Sequence, residues 1–353
     1  MPRPVLAITM GDPAGIGPET LVGAWSCSQI HTVCKPLVIG NCEVMQRAVQ
    51  LLQTPIDVVP INSPDEAQPS LSSMPCLSAG SSEAACVQPA TMDARGGQAA
   101  YDAVVSAARL AQAGSIAGLV TAPLNKTALY AAGHHFPGHT ELLTQLCGAE
   151  ETAMMLYLPA AANRTDDTGW GIVHVTLHMS LRDVFLHLHA DRIVTCAHLA
   201  NTVMRRLRSK TALAPPRIGL CALNPHAGEN GIFGKEEQNI IVPAAEQARA
   251  AGIDVSGPYP ADSLMVRARD GEFDALVAMY HDQGHIAMKL LGMHRAVNIT
   301  LGLPVVRTSV AYGTAFDRAW KGSADSGGMV EAISVAARLA CSRQLLSTTS
   351  DPQ

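Results

Sequence analysis

The feature that most constrains the fold is a regular alternation of short apolar runs with longer stretches whose apolar residues recur at helical spacing. The short runs are rich in β-branched residues and predict strands at residues 5–9, 37–40, 118–122, 154–158, 171–177, 217–223, 275–280 and 296–300. Helical spacing follows at residues 43–52, 97–113, 191–207, 239–251 and 284–291. Strands that alternate with helices predict an α/β fold with a largely parallel or mixed sheet.

The chain is long enough for two domains. Its 353 residues correspond to about two domains at roughly 150 residues each. No repeat or low-complexity linker marks a boundary, so we expect two domains that interleave along the chain. Residues 63–93 are rich in Ser, Pro and Ala with little periodicity, which predicts a long loop or short edge strands.

The composition indicates an aliphatic core and excludes several kinds of partner. Aromatic residues make up only 4% of the chain. A formal net charge of -5 gives no electrostatic reason to expect nucleic acid as a partner. No apolar run approaches the roughly 18 residues of a transmembrane helix, and the first residues show no targeting pattern. We therefore expect a cytoplasmic protein that binds neither nucleic acid nor membrane.

The cysteines are most consistent with reduced thiols. There are nine, an odd number, and no Cys-x-x-Cys pair. This pattern favours a reducing compartment over a disulfide framework or a structural zinc site. We expect the cysteines to serve as small core residues, since none stands in a polar loop beside a histidine.

Three of the thirteen histidines stand where a predicted strand ends: His178, His226 and His281. Ligands of open α/β sheets bind outside the carboxyl ends of strands. Three imidazoles at that edge, with Asp262 and Asp282 nearby in sequence or pattern, could hold one divalent cation. The alternative is that each histidine is a hydrogen-bonded loop residue, because sequence alone cannot show that the three converge.

The spacing of His281 and His285 invites a comparison with zinc proteases. In that motif a glutamate directly follows the first histidine and acts as the general base. Here Asp282 follows instead, so the sequence does not favour a metalloprotease.

The glycine-rich segment 11–19 follows the first predicted strand and precedes a helical pattern. Glycines there expose backbone N–H groups at a helix N-terminus, which suits a phosphate or nucleotide. The segment lacks the Lys and Ser/Thr of a P-loop and the Gly-x-Gly-x-x-Gly spacing. A plain tight turn explains it equally well.

Three polar residues on successive predicted elements follow His281: Lys289, Asn298 and Arg307. Together they could hold a phosphate group through charge-assisted hydrogen bonds. Each of them alone would more often be a solvated surface residue.

Seven segments, in order along nearly the whole chain, resemble the 4-hydroxythreonine-4-phosphate dehydrogenase family. They lie at residues 10–19, 120–126, 137–140, 223–229, 257–262, 280–283 and 298–304. The resemblance implies an isocitrate/isopropylmalate dehydrogenase-like α/β fold, with two interleaved α/β/α domains and an active-site cleft between them. It also implies a homodimer with a shared active site, a divalent metal, and NAD or NADP.

The resemblance also suggests domain bounds and site residues. The expected cofactor domain is 1–137 plus 308–353, and the expected metal- and substrate-binding domain is 138–307. By position, the family's metal ligands fall on His178, His226 and His281. Its substrate-binding residues fall on His139, Thr140, Lys289, Asn298 and Arg307. The expected cofactor-binding residues are Gly313, Thr314, Ala315 and Asp317.

The implied reaction is NAD(P)-linked oxidation of the secondary hydroxyl of a 4-phosphorylated hydroxy acid, followed by β-decarboxylation to an amino-ketone phosphate. The default substrate is 4-phosphohydroxy-L-threonine, although the segment around Tyr280 resembles relatives that act on other four-carbon phosphorylated acids. Asp262, Asp282 and Lys289 are candidates for the proton acceptor. The metal is zinc, magnesium, cobalt or manganese, between which the ligand types do not decide.

Some positions depart from the family pattern. Ala311 and Tyr312 replace an Asp and a His in a segment that lies against the cofactor in isocitrate-type dehydrogenases, which leaves the choice between NAD and NADP open. Trp320 stands where a Gly is usual, and residues 160–170 resemble an insertion beside the substrate. Two alternatives therefore remain: a cis-dihydrodiol dehydrogenase of aromatic acid breakdown, and a redox-inactive relative that binds metal and phosphate.

Overall fold

The computed structural model describes residues 3–160, 169–208 and 214–348. The chain forms two compact units: unit 1 contains residues 1–150 and 303–353, and unit 2 contains residues 151–302. Unit 1 is therefore built from two separate stretches of the chain.

The strands, in chain order, are β1 (Val5–Thr9), β2 (Lys35–Gly40), β3 (Asp57–Ile61), β4 (Ser73–Ser78), β5 (Gly118–Thr121), β6 (Ala153–Leu158), β7 (Trp170–His174), β8 (Ile218–Cys221), β9 (Val255–Tyr259), β10 (Ala275–Ala278), β11 (Val297–Leu301) and β12 (Val306–Val310). The α-helices are α1 (Gly17–Trp25), α2 (Ser28–Val33), α3 (Cys42–Leu51), α4 (Ala94–Gln112), α5 (Lys126–Ala131), α6 (His139–Cys147), α7 (Leu181–His187), α8 (Ala190–Leu207), α9 (Val242–Ala250), α10 (Ala261–Arg269), α11 (His281–Gly292) and α12 (Gly327–Thr348). Short 3-10 turns cover Pro64–Glu66, Ser82–Cys86 and Pro225–Gly231, and a π-helical turn covers Glu237–Ile241.

The strands of unit 1 follow the order β3-β4-β2-β1-β5-β12. All of these neighbours are parallel. The central strands are almost entirely buried, and α4 and α12 pack against them. This arrangement explains why the strands are apolar on both faces.

Side-chain caps define where three helices of unit 1 begin. The side chains of Asn41, Asp93 and Asn125 accept hydrogen bonds from backbone N–H groups in the first turns of α3, α4 and α5. Such caps satisfy N–H groups that have no partner within the helix.

The strands of unit 2 follow the order β11-β6-β7-β10-β8-β9. The pairs β11–β6 and β6–β7 are antiparallel, and the remaining pairs are parallel. Helices α8 and α11 both pack against β7 and β10. The predicted α/β class, with parallel and mixed sheets, is confirmed.

Most predicted strands and helices occur within a few residues of their expected positions, with four differences. The prediction of a strand over 171–177 that His178 closes is wrong at its end, because β7 stops at His174. Strands β3 and β9 were not predicted because each contains a proline, and proline argues against a strand. β4 falls in the segment 63–93 but lies between β3 and β2 rather than at an edge.

The fourth difference, β12, changes the division of the chain. The sequence did not predict this strand, and Arg307 alone would more often be a solvated surface residue, yet β12 pairs in parallel with β5 and is buried along its length. Helix α6 packs against α4. Both elements therefore belong to unit 1, and the chain divides near residues 150 and 302 rather than at 137 and 307.

The buried core is aliphatic, as the composition predicts, with few large aromatic side chains among the buried residues. All nine cysteines lie in the described residues, and none is in a disulfide. The expectation that they are core residues holds for four of them: Cys34, Cys76, Cys196 and Cys221. Among the described helices, none has the length and hydropathy to span a bilayer.

Candidate active site

Unit 2 contains a cavity of about 590 Å³ beside the carboxyl ends of β7 and β10. His178, in the loop after β7, and His281, the first residue of α11, both line it, together with Tyr280 and Asp282. Asp282 Oδ1 lies 2.6 Å from His281 Nδ1. A carboxylate on Nδ1 fixes the ring and leaves Nε2 as the nitrogen that can bind a metal or substrate.

Four histidines form a continuous series from this cavity into the core. The ring centroids of His178 and His281 are 6.1 Å apart, and the rings of His281 and His285 stack at 3.7 Å. His285 Nδ1 lies 3.1 Å from His174 Nε2. Sequence reasoning did not predict His174, which it placed inside a strand.

The two inner histidines are neutral at pH 7. Burial lowers the pKa of His285 to about 4, and the neighbouring His281 lowers it further. Burial lowers the pKa of His174 to about 3, with a smaller contribution from His285. The two imidazoles behind His178 and His281 are therefore uncharged. Neutral imidazoles favour a cation in the cavity more than protonated ones would.

His226, the third predicted metal ligand, lies apart from the other two. It is largely exposed in the turn after β8, and its Nδ1 lies 3.5 Å from Glu229. Within residues 3–160, 169–208 and 214–348, no three His, Cys, Asp or Glu side chains stand close enough to hold a metal ion. The described residues therefore do not bring the three predicted metal ligands together in this chain.

The turn that carries His226 has an unusual backbone. Residues 226–230 all have φ between 44° and 79°, the left-handed region. For residues other than glycine this conformation costs roughly 1–2 kcal/mol each. Backbone strain of this kind persists only where surrounding contacts enforce it, and it concentrates at functional sites.

Glu237, at the start of the π-helical turn, supplies those contacts. Its buried carboxylate accepts hydrogen bonds from the backbone N–H groups of Leu223 and Asn224, at 2.8 and 2.7 Å. It also accepts one from the Asn224 side chain at 3.0 Å. A methyl group on Gly228 would lie 2.7 Å from Glu237 Oε2, so the turn closes directly over this carboxylate.

The other predicted residues of unit 2 are spread over three elements. Asp262 is exposed in the first turn of α10, where its carboxylate accepts from the N–H of Ser263. Lys289 is exposed on α11, one turn beyond His285. Asn298 is partly buried on β11, and its Oδ1 has no hydrogen-bond partner among the described residues.

Unit 1 holds a second cluster, formed by a buried arginine and a shielded histidine. Arg307 is 2% exposed, and its Nη2 donates to Thr121 Oγ1 at 2.7 Å. Burial lowers the pKa of Arg307 to about 9, although Glu141 acts in the opposite direction. Burial also holds the pKa of His139 well below its usual value, and the charges of Arg307 and Lys126 lower it further.

Two positively charged side chains, Arg307 and Lys126, act on His139 in this cluster. His139 opens α6, and its Nε2 is shielded from solvent without a hydrogen-bond partner among the described residues. Thr140 follows it in the first turn of α6. Lys126, the first residue of α5, ends the segment 120–126 that resembles the family. The sequence alone does not show that its charge acts on His139.

The glycine loop of segment 11–19 is packed against protein. A methyl group on Gly11 would lie 2.5 Å from the carbonyl oxygen of Pro123, and one on Gly15 would lie 2.9 Å from Thr314. The glycines allow close approach of other backbone segments, which supports the tight-turn interpretation of this loop over the phosphate-loop interpretation.

Asp12 is the ionisable residue at the centre of this loop. Its Oδ1 accepts from the N–H of Ala14 at 2.9 Å, and its Oδ2 is buried without a partner among the described residues. Burial raises the pKa of Asp12 to about 6, and Asp93 raises it further. Sequence reasoning missed Asp12, because nothing in a Gly-Asp-Pro motif shows whether the carboxylate faces solvent.

The expected cofactor residues lie in the segment after β12. Thr314 accepts a backbone hydrogen bond from Ile16, whereas Gly313 faces open space. Ala315 has a φ of 43°, and Asp317 is exposed.

The segment is anchored further on by Trp320, one of the departures from the family pattern. Its backbone N–H donates to Glu19 Oε1, and its ring N–H donates to the carbonyl oxygen of Pro13 at 2.8 Å. Tyr312 is mostly buried, and burial raises the pKa of its hydroxyl to about 12. Of the insertion-like residues 160–170, residues 161–168 lie outside the described part of the chain.

Comparison with known proteins gives matches over nearly the whole chain. The family described as "Pyridoxal phosphate biosynthetic protein PdxA" matches residues 32–336. A D-threonate 4-phosphate dehydrogenase from Cupriavidus necator is 42% identical over 341 residues, 96% of this chain and 98% of that protein. A 4-hydroxythreonine-4-phosphate dehydrogenase from Desulforapulum autotrophicum is 41% identical over 335 residues, 95% of both chains.

Solved structures give the same result. The crystal structure of 4-hydroxythreonine-4-phosphate dehydrogenase from Klebsiella pneumoniae has a TM-score of 0.83 and 39% identity to this chain. The match covers 96% of this chain and 99% of that one.

We expect replacement of Glu237 by Ala to lower the free energy of unfolding by roughly 2–4 kcal/mol, because it leaves buried backbone N–H groups without an acceptor. Urea unfolding measures the change. Glu246→Ala, an exposed position on α9, is the matched control and should change stability by less than about 0.5 kcal/mol. Equal losses in the two variants would show that Glu237 does not support the turn.

A second prediction concerns Asp12. The pKa of Asp12 is raised in the folded protein, so its protonated carboxyl contributes to the stability of the fold. This contribution is complete below the unfolded pKa near 3.8 and is lost as pH rises through about 6. Relative to Asp12→Asn, the wild type should lose roughly 2 to 3 kcal/mol of stability between about pH 4 and about pH 7. An equal change in the free energy of unfolding of the two proteins between these pH values would contradict a buried carboxylate with a raised pKa.

Proposed function

Since the chain belongs to the PdxA family, we propose that it is a dehydrogenase that oxidises the secondary hydroxyl of a 4-phosphorylated hydroxy acid with a nicotinamide cofactor. The observation that best supports the phosphorylated substrate is the buried guanidinium of Arg307 beside His139 and Lys126. A phosphate group, with its multiple acceptor oxygens and its charge, suits these donors.

Each member of this cluster has a different part in binding the phosphate. Arg307 is held by Thr121, and its planar guanidinium can donate to two phosphate oxygens at once. His139 and Thr140 begin α6, a nine-residue helix whose N-terminus favours negative charge. Lys126 adds a further charge to the same region. Lys289 and Asn298 of unit 2 are proposed as further substrate-binding residues.

The chemistry follows from the class of enzyme. Oxidation removes a hydride from the carbon, which passes to the nicotinamide, and a proton from the hydroxyl. When the oxidised carbon is next to a carboxylated one, the product is a β-keto acid, and we propose that it loses carbon dioxide to give an amino-ketone phosphate. Either NAD or NADP would bind to unit 1 through Gly313, Thr314, Ala315 and Asp317.

We propose that the proton acceptor is one of the candidates that make no contact with His281. Asp282 is engaged with His281 Nδ1, so its role is to hold that ring in position. Asp262 and Lys289 are exposed in their helices and remain the candidates for accepting the proton. Of these, Lys289 is closer in sequence to His281, which lines the cavity. It lies on the same helix, one turn after His285.

Two substrates fit the family, 4-phosphohydroxy-L-threonine and D-threonate 4-phosphate. Both are four-carbon acids with a phosphate at the far end, and the two closely similar relatives described above carry one name each. The substituent beside the carboxylate distinguishes them, an amino group in one and a hydroxyl group in the other. Parallel assays on both compounds, with NAD and with NADP, identify the substrate by the higher kcat/KM.

We further propose a divalent cation held by His178 and His281, with His226 as the third ligand in a homodimer with a shared active site. When bound, such an ion lowers the pKa of a coordinated hydroxyl. The support for a dimer is the exposed apolar surface of unit 2. On α7 and α11, large side chains are 53–83% exposed: Leu181, Phe185, Leu186, Ile286 and Leu290. Surfaces of this kind mark protein interfaces.

The phosphate site predicts a specific kinetic effect. Arg307→Lys should raise KM for the phosphorylated acid by about 10- to 100-fold, because lysine cannot make the paired hydrogen bonds of a guanidinium. Steady-state assays of NAD(P)H formation measure it. Arg109→Lys, at an exposed position on α4, is the control and should leave KM unchanged.

An unchanged KM in Arg307→Lys, with folding verified by circular dichroism, would remove Arg307 from the phosphate site. Activity on an aromatic cis-dihydrodiol that survives Arg307→Ala, with none on a phosphorylated acid, would support the dihydrodiol dehydrogenase alternative. Binding of metal and phosphate without cofactor reduction would support the redox-inactive alternative.

The proposed dimer and metal site are tested together. We expect the wild type to sediment as a dimer that retains a divalent cation, and His281→Ala to remain a dimer without the ion. Leu290→Glu should place a charge in the apolar surface, give a monomer and lose the ion, because a single chain does not complete the ligand set. Analytical ultracentrifugation and elemental analysis measure both properties.

Leu71→Glu is the matched control, since Leu71 is an exposed leucine of unit 1. It should leave both mass and metal content unchanged. A monomeric wild type that retains the ion would contradict the shared site, and a dimer without bound metal after dialysis against each candidate ion would contradict the ligand assignment.

A further inference from the structure

Two cysteines of unit 1 lie in contact at the carboxyl ends of β2 and β4. Cys42 is the first residue of α3, two residues after β2 ends, and Cys76 lies on β4, paired with Val38. The Cys42 thiol lies 3.7 Å from the carbonyl oxygen of Cys76 and 3.5 Å from the hydroxyl of Ser78.

The two thiols differ in exposure. Cys42 is partly exposed, whereas Cys76 is fully buried. An oxidant can therefore reach the first sulfur, and the second stands behind it. This order suits a reactive cysteine with a resolving cysteine beside it.

The surroundings of Cys42 stabilise its thiolate. The hydrogen bond from the Cys76 thiol lowers the pKa of Cys42 to about 6, with further contributions from Ser78 and the backbone N–H of Cys42. Burial and Glu43 act in the opposite direction. The same interaction raises the pKa of Cys76, and burial adds to it. Cys42 is thus largely ionised at pH 7, and the thiolate is the form that reacts with oxidants.

We propose that Cys42 and Cys76 form a reversible oxidation site, at which a hydroperoxide converts Cys42 to a sulfenic acid and Cys76 then closes a disulfide. The proposal rests on contacts within unit 1 and does not depend on the catalytic function proposed above. It concerns two residues 34 positions apart in the sequence, which no spacing motif connects.

The electrons and atoms balance in two steps. The Cys42 thiolate attacks the peroxide, the O–O bond breaks, an S–OH bond forms, and hydroxide or alkoxide leaves. The Cys76 sulfur then attacks the Cys42 sulfur, the S–OH bond breaks, and water leaves with the proton of the Cys76 thiol. One hydroperoxide is reduced, and two thiols are oxidised to one disulfide. Once Cys42 is a sulfenic acid, the thiolate that raised the pKa of Cys76 no longer exists.

The test uses the full chain, reduced and then treated with hydrogen peroxide. After the remaining thiols are blocked, we expect peptide mapping by mass spectrometry to show a Cys42–Cys76 cross-linked pair that dithiothreitol reverses. In Cys76→Ser the cross-link should be lost and Cys42 should be trapped as a sulfenic acid by dimedone. In Cys42→Ser, Cys76 should remain reduced.

Cys86 is the internal control, because it is an exposed cysteine outside the pair. At pH 7 iodoacetamide should alkylate Cys42 about tenfold faster than Cys86. Two results would overturn the proposal: alkylation of Cys42 no faster than that of Cys86, or peroxide treatment that gives sulfinic acid or no change at Cys42 without the cross-linked pair.

Discussion

Unit 1 depends on the parallel pairing of β12 with β5. In this register Arg307 stands opposite Leu119, and Ser309 stands opposite Thr121. The pairing joins residues more than 180 positions apart and makes the unit discontinuous. It also carries Arg307 into the interior, where its guanidinium reaches Thr121. Burial lowers the pKa of this guanidinium, and the nearby Glu141 carboxylate acts in the opposite direction.

Unit 2 also contains several local features that are costly by themselves. The left-handed turn that carries His226, the neutral histidine pair behind His281 and the buried carboxylate of Glu237 each oppose folding when taken alone. Their neighbours compensate: Glu237 satisfies backbone N–H groups next to the turn, and the inner histidines bond to each other. Such compensated costs are typical of sites whose geometry is maintained for function.

The α/β class and most strand positions could be predicted from the sequence, because buried strands and amphipathic helices have distinct apolar periods. The strand-end position of His281 was predicted for the same reason. Other features depend on contacts distant in sequence. β12 was not predicted because it contains Arg307, and arginine is rarely buried. The contact of His174 with His285 joins residues 111 positions apart. The separation of His226 from His178 and His281 could not be seen, since motif order carries no distances.

The reaction of the PdxA family offers a common explanation for the charged cluster of unit 1 and the histidines of unit 2. A dehydrogenase for 4-phosphorylated acids requires a site for the phosphate and a site for the reacting hydroxyl. Unit 1 offers buried positive charge, and unit 2 offers imidazoles and a cavity. The central claim is therefore that the phosphate group is needed for the redox reaction of this chain.

The most direct measurement compares the wild-type protein on 4-phosphohydroxy-L-threonine or D-threonate 4-phosphate with the same acids without phosphate, following NAD(P)H absorbance with divalent metal present. We expect reduced cofactor with at least one phosphorylated acid, and a kcat/KM lower by about 100-fold or more without the phosphate. Equal or faster turnover of the unphosphorylated compounds would contradict it.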